Sequence, residues 1–245
     1  MGRLAPQIEA MPRPPMPAPD APLRFVIFDV DGTLIDSQAF ILVAMRRAFA
    51  GARRPAPADA ATLGIVGLSL PQAMEVLVPG VSAPERDQLV QLYKDSFLAL
   101  REESGGEAHS PFYPGARDAL ARLDGAGWLL SIATGKARRG LNHMLDSHGL
   151  RPLFVGTQTA DDAPSKPHPG MVLNCLAATG TEAHRAVVVG DTEYDMAMAR
   201  AAGARAVGVD WGYHGADRLR AGGAETIVED FAALDAVLDA MLEAV

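Results

Sequence analysis

The residues best placed to do chemistry are Asp29 and Asp31, in the run Phe28-Asp29-Val30-Asp31-Gly32-Thr33-Leu34-Ile35-Asp36-Ser37. The run continues the apolar stretch Phe25-Val26-Ile27-Phe28, whose length and composition predict a short buried strand. Side chains at i and i+2 of a strand share one side, and Gly32 lets the chain turn where the strand ends. Both carboxylates can therefore converge on one point. Like charges that close repel unless a cation or a shared proton intervenes, so the pair predicts a metal site, a proton-transfer role, or both. A calcium loop of the EF-hand type does not fit. It needs a third acidic or amide ligand before its glycine and a glutamate further on, and Gly32 comes too early.

The elements around this run predict how it is positioned. Apolar spacing predicts a helix over residues 38–50, with Phe40, Ile41, Val43, Ala44, Met45, Ala48 and Phe49 as its periodic positions. Further helices are predicted at about 70–78 and 85–103, separated by the turn signals Pro55, Pro57, Gly64, Gly67, Pro71 and Pro79-Gly80. Residues 37–112 therefore read as a helical subdomain inserted after the first strand. From Pro114 onward helices and strands alternate. Helices at 116–126, 137–148, 168–179 and 193–202 precede strands at 128–133, 153–155, 186–189 and 206–209, before a weak strand at 226–228 and a last helix at 231–243. Strands alternating with helices imply βαβ crossovers, and hence an α/β fold with a doubly wound parallel sheet. The core domain would comprise residues 23–36 plus 113–245, with the helical cap at 37–112. In such sheets ligands bind beyond the carboxyl ends of the strands, where the strand order reverses.

The remaining polar groups of interest fall at those strand ends. Thr134-Gly135-Lys136 follows one strand, and Gly190-Asp191-Thr192-Glu193-Tyr194-Asp195 follows another. Lys166 stands in the loop Ala163-Pro164-Ser165-Lys166-Pro167-His168-Pro169. Taken singly, Thr134 and Asp191 fit helix N-caps, and Lys166 fits a surface lysine. Their joint placement at one edge argues for a common site. Oxygen ligands without a cysteine or histidine set select Mg²⁺ over zinc. A hydroxyl, backbone N–H groups and a lysine suit the oxygens of a phosphoryl group. A carboxylate facing that group could take it as an aspartyl-phosphate, and a second could protonate the leaving alkoxide and then activate water.

These residues, in this order, resemble the haloacid dehalogenase (HAD) superfamily, in its branch of phosphoglycolate-phosphatase-like hydrolases. Four motifs carry the resemblance: Asp29-Val30-Asp31-Gly32-Thr33, Ile132-Ala133-Thr134-Gly135, Lys166-Pro167, and Gly190-Asp191-Thr192-Glu193-Tyr194-Asp195. The resemblance implies a Rossmann-like core and a cap whose closing excludes water. It implies Asp29 as nucleophile and Mg²⁺ ligand, and Asp31 as general acid/base that also ligates Mg²⁺ through its backbone carbonyl. Thr134, Gly135 and Lys166 would bind the phosphoryl group, Asp191 would ligate Mg²⁺, and Asp195 would support it. The acid at Asp31 favours a phosphatase over a dehalogenase or phosphonatase of the same superfamily, with a sugar phosphomutase as the alternative enzyme and a non-catalytic binding module as the alternative outside enzymes.

For substrate specificity the candidates are Gly67 and Ser69, in the glycine-containing loop 64–69, and Lys136 beside the phosphate loop. Ser69 also fits an N-cap for the helix beginning near Pro71. Arg46, Arg47, Arg53 and Arg54 offer a basic cluster for a second anionic group, as in phosphoglycolate, against the plainer reading of a solvated helix face. Trp211-Gly212-Tyr213-His214 is expected mainly to pack, and His168 to shape the Lys166 loop.

Length and composition bound the rest. At 245 residues the chain can bury one sizeable core, and 49% hydrophobic content is ordinary for a globular protein. A net charge of −8 argues against nucleic acid as partner. The partner expected instead is a small phosphorylated metabolite, with the protein a monomer or homodimer. The single cysteine, Cys175, excludes an internal disulfide, and its apolar helical surroundings predict a buried thiol. Seven of residues 1–22 are proline, which predicts a disordered or polyproline II tail. No apolar run reaches membrane-spanning length and no secretory h-region stands at the start, so a cytoplasmic protein without membrane contact is expected.

Overall fold

The chain builds six parallel strands, flanked by helices, in a computed structural model that describes residues 23–104 and 110–243. The proline-rich segment 1–22 lies outside the described residues. The strands are β1 (Phe25–Phe28), β2 (Leu129–Ala133), β3 (Gly156–Gln158), β4 (Ala186–Gly190), β5 (Arg205–Val209) and β6 (Thr226–Val228), in the order β3-β2-β1-β4-β5-β6. The order reverses at β1. That strand pairs with β2 on one side, Phe28 against Ile132, and with β4 on the other, Phe28 against Val189. The carboxyl end of β1 is thus the crevice where a ligand is expected in this architecture.

β1 is apolar at every position because both of its faces are covered, as is usual in a parallel sheet. The two-residue period sorts its side chains between two cores. Val26 and Phe28 join Leu130, Ile132, Val187, Val189, Val207 and Val209 on one face. Phe25 and Ile27 join Val188, Ala206 and residues of the helices on the other. The crossover helices are α5 (Ala116–Gly125), α6 (Arg138–His148), α7 (Gly170–Thr179), α8 (Glu193–Ala201) and α9 (Ala216–Gly222), and α10 (Leu234–Glu243) ends the fold.

Between β1 and α5 the described residues form helices only: α1 (Gln38–Gly51), α2 (Asp59–Leu63), α3 (Leu70–Leu77) and α4 (Ala83–Glu103). They bury a third core of their own, built from Met45, Phe49, Ile65, Leu68, Ala73, Met74 and Leu89. α4 opens on a capping box in which Ser82 and Glu85 satisfy each other's exposed amides. Single bridges from Ile35 to Asp31 and to Phe112 tie the stems of this helical layer together where it leaves the sheet.

Two features depart from the sequence expectation. The third strand is Gly156–Gln158 rather than residues 153–155. Pro152 fixes a 3-10 turn at Arg151–Leu153, and Leu153 and Phe154 pack on the core from that turn rather than from a strand. The apolar run there reports burial, not extension. The short helices α2 and α9 have no counterpart in the periodicity, being too brief to show one. No described helix is long and apolar enough to cross a membrane.

Cys175 lies on α7 in the second core, its Sγ directed at the Ile132 carbonyl, and burial pushes its thiol up to about 12. Maleimide labelling of the native protein at pH 8 should therefore run roughly a thousandfold slower than in urea, since only the thiolate reacts. Equal rates in both conditions would show that the α7 face is not closed.

Candidate active site

The carboxyl ends of β1 and β4 place three aspartates in one buried cluster. Asp29 follows β1, Asp191 follows β4, and Asp195 lies in the first turn of α8, with a carboxylate oxygen of each within 4.8 Å of the others. All three are sealed from solvent, Asp29 at 1% exposure and the other two at 0%. A single cation is buried with them. Lys166 reaches in from the loop before α7, and its Nζ lies 2.6 Å from Asp195 Oδ1 and 2.9 Å from Asp29 Oδ1.

Each carboxylate is held differently. Asp195 is fully engaged: besides Lys166, its Oδ2 accepts from the Thr192 amide at 3.1 Å and the Thr192 hydroxyl at 2.6 Å. This is the reciprocal N-cap of α8, so the signal that starts the helix also locks the side chain. Asp191 accepts from Thr33 Oγ1 at 3.0 Å and from the Tyr213 amide at 2.9 Å. Asp29 is anchored by its backbone, its N–H donating to Val189 O at 2.9 Å. Neither of its carboxylate oxygens accepts a well-directed hydrogen bond, and Oδ2 has no ion-pair partner among the described residues.

The electrostatics follow from that inventory. Burial raises the Asp29 carboxyl to about 7; Lys166 opposes the rise, and Asp195 and Asp31 add to it. Burial, with Asp29 and Asp195, raises Asp191 well above the ordinary carboxylate range, against the bonds from Tyr213 and Thr33. Burial alone would lower the Lys166 ammonium, but Asp195 and Asp29 outweigh it and hold the ammonium above its usual value. Three carboxylates around one ammonium leave negative charge uncompensated, and Asp29 Oδ2 is buried with no partner among the described residues. Both observations fit a divalent cation bound by oxygen ligands.

Three glycines make room for these side chains. A Cβ on Gly32, whose φ is +88°, would fall 2.2 Å from Asp191 Oδ2. On Gly190 it would meet Asp195 Cγ at 2.4 Å, and on Gly212 it would meet Asp191 Cβ at 2.1 Å. Gly212 belongs to the loop Trp211–His214, which packs as expected but does more. Trp211 Nε1 donates to the Thr33 carbonyl at 3.0 Å, Tyr213 donates to Asp191, and the His214 amide donates to the Asp191 carbonyl at 3.3 Å. Thr33 and Thr192 are site residues to which sequence reasoning gave no role, and this loop, singled out mainly for packing, also holds Asp191. The signal available was the close spacing of small and hydroxyl residues around each aspartate.

Asp31 stands apart from the cluster. Its Oδ1 accepts from Ser37 Oγ at 2.6 Å and from Lys136 Nζ at 2.8 Å, and Ser37 in turn lies 3.2 Å from the Tyr213 hydroxyl. Lys136 therefore pairs with Asp31, its side chain remaining 18% exposed. Thr134, 1% exposed, accepts from the Lys136 amide at 3.3 Å and so shapes the turn after β2. Gly135 sits under the 64–69 loop. A Cβ there would fall 2.5 Å from Gly67 O and 2.7 Å from Leu68 O.

That loop meets the core at several points. Gly67, with φ +99°, lies against Thr192, and the Ser69 amide donates to Ser165 Oγ at 2.7 Å. Ser69 stands at the N-cap position of α3 without a side-chain capping bond. Gly64 O faces the Tyr194 hydroxyl at 3.1 Å, His214 Nε2 at 3.2 Å and Arg218 at 3.4 Å. Three of the four cap arginines follow the plainer reading of a solvated helix face. Arg46 pairs with Asp59, Arg47 with Glu103 and Arg54 with Glu85, all on exposed surface. Arg138 is likewise taken, by Asp162 and Thr157. His168 Nδ1 accepts from the Gly170 amide at 3.0 Å, shaping the start of α7.

Replacing Lys166 with methionine leaves buried carboxylates without their counter-charge. Urea unfolding at pH 7 should show a loss of about 3–5 kcal/mol. An unchanged midpoint would mean the cluster is neutral without the lysine.

Residues 26–209 match the haloacid dehalogenase-like hydrolase family. The chain is similar to a protein named probable phosphatase IndB from Dickeya dadantii, 34% identical over 220 residues that cover 89% of this chain and 94% of the relative. It is similar to a phosphoglycolate phosphatase of Mesorhizobium japonicum, 31% identical over 193 residues, covering 77% and 83%. Among solved structures, a predicted phosphoglycolate phosphatase from Haemophilus somnus shares the fold with a TM-score of 0.78 at 20% identity, over 88% of this chain and 97% of that one.

Proposed function

Because the chain belongs to the haloacid dehalogenase-like hydrolases, we propose that it is a Mg²⁺-dependent phosphatase, hydrolysing a small phosphate monoester through an aspartyl-phosphate on Asp29. One observation carries the reading: a buried carboxylate with one oxygen on a buried lysine and the other unpartnered among the described residues, beside two further aspartates, at the sheet's switch point.

The residues divide the work as follows. Asp29 and Asp191 would hold Mg²⁺, with the Asp31 carbonyl as a further ligand. The bound ion would neutralise charge on the transferring phosphoryl group and keep Asp29 ionised. Asp29 Oδ attacks phosphorus, and the bond from phosphorus to the leaving oxygen breaks. Asp31 gives its proton to that oxygen. Asp31, now a carboxylate, takes a proton from water. The resulting hydroxide attacks phosphorus, the Asp29–phosphorus bond breaks, and inorganic phosphate leaves. Thr134, the Gly135 amide and Lys166 hold the phosphoryl oxygens, and Asp195 steadies Lys166. The helical layer of residues 38–103 serves as the cap that excludes water, with loop 64–69 touching the phosphate loop at Gly135.

The test is phosphate release from a panel of phosphoglycolate, sugar phosphates, nucleoside monophosphates and pyrophosphate, with Mg²⁺ and with EDTA. Phosphoglycolate heads the panel because the Mesorhizobium relative carries that name. Release should require Mg²⁺ and fall by at least about 10⁴-fold in Asp29→Asn. Undiminished release by that variant would sink the mechanism. Asp31→Asn should give a burst of nitrophenolate from p-nitrophenyl phosphate and then stall. That leaving group needs no proton, whereas hydrolysis of the phosphoenzyme still needs the base. Steady turnover without a burst would remove Asp31 from the second step.

A further inference from the structure

Resting on the phosphatase reading, we propose that the Tyr213 hydroxyl is a positioning group for the acid/base Asp31, acting through Ser37 and leaving Oδ2 as the oxygen that exchanges the proton. The contacts form one chain. Ser37 Oγ lies 2.6 Å from Asp31 Oδ1 and 3.2 Å from the Tyr213 hydroxyl. Lys136 Nζ bonds the same Oδ1 at 2.8 Å. An oxygen that takes an ammonium is an acceptor, so Ser37 donates its one hydroxyl proton to it, and Ser37 Oγ in turn accepts from Tyr213. Both side-chain bonds to the Asp31 carboxylate among the described residues thus fall on Oδ1, and Oδ2 is the oxygen left to face the leaving group and the water.

Three further observations single this chain out. Ser37 occupies the N-cap position of α1, where a serine ordinarily accepts from an amide of the first turn, yet its side chain makes no capping bond. It is 1% exposed and turned to Asp31 instead, so the helix forgoes a cap that the site uses. The Tyr213 ring lies against the backbone that joins Asp31 to Thr33: a Cβ on Gly32 would fall 2.7 Å from Tyr213 Cε2. That packing sets the ring beside the acid/base residue and aims its hydroxyl at Ser37. Tyr213 also holds Asp191 through its amide at 2.9 Å. One residue therefore sets the proposed metal ligand from its main chain and the acid/base from its side chain, and removing the hydroxyl alone separates the two roles.

The experiment compares wild type, Tyr213→Phe, Ser37→Ala and the double variant on p-nitrophenyl phosphate, with rapid acid quench to follow phosphoenzyme formation and its hydrolysis separately. Nitrophenolate leaves without a proton, so the second step alone calls on Asp31. Tyr213→Phe should form phosphoenzyme at the wild-type rate and hydrolyse it about 2- to 10-fold more slowly. Its Mg²⁺ concentration for half-maximal rate should be unchanged, since the amide to Asp191 remains. Ser37→Ala should slow the same step by about tenfold or more, and the double variant should be no slower than Ser37→Ala, because Tyr213 acts through the hydroxyl already gone. Slowing of both steps together with a raised Mg²⁺ requirement would assign the hydroxyl to propping the loop that holds Asp191, and overturns the proposal. Full additivity of the two substitutions, or hydrolysis unchanged in Tyr213→Phe, overturns it too. In each of those cases an Asp29-dependent phosphoenzyme in wild type leaves the phosphatase reading standing; its absence from wild type defeats both.

Discussion

The Lys166 ammonium, buried between Asp29 and Asp195, is the interaction on which the rest of the site depends. Removing a charge from water costs several kcal/mol per ion, recovered only where opposite charge and good hydrogen bonds are already in place. Here the recovery is uneven. Asp195 is saturated by Lys166 and by the N-cap of α8, so the ammonium has one firm partner. Its second partner, Asp29, is held loosely and keeps bonding capacity in reserve. The asymmetry suits a lysine that stays put while the carboxylate beside it changes its bonding.

The surrounding backbone is arranged to let the carboxylates in. Gly32, Gly190 and Gly212 lie where a Cβ would overlap an aspartate side chain, so three separate stretches of chain yield space to two residues. The donors that satisfy Asp191 come from the turn after β1 and from the loop after β5, which fixes β1, β4 and β5 relative to one another through a single side chain. Site and fold are therefore not separable here: the groups that position Asp191 are also the turns that end two strands.

The gathering of acidic residues at the strand ends was legible in the sequence, and much of what supports them was not. Asp29, Asp31, Thr134, Asp191 and Asp195 declare themselves because each follows an apolar strand or opens a helix, strand ends converge in a parallel sheet, and Lys166 joins them from the loop before α7. Tyr213 was unreadable as a support because it acts on Asp191 through its amide, which every non-proline residue possesses. The partners of the cap arginines were unreadable for a related reason. A charge in a sequence does not name its partner, and Arg47 finds Glu103 only after α1 and α4 have packed. Leu153 and Phe154 read as strand because burial and extension leave the same apolar signature over so few residues.

The contact at Gly64 has a consequence for how the boundary between helical layer and core tolerates change. The acceptor is a main-chain oxygen, which persists whatever residue occupies position 64, and the φ of −64° there does not itself demand glycine. The identity of the contact therefore lies wholly with Tyr194, His214 and Arg218 on the core side. A carbonyl oxygen has two lone pairs, so three donors exceed its capacity. Loss of any one still leaves the oxygen fully used. At Gly64 the seam is redundant: it weakens by degrees as donors are removed.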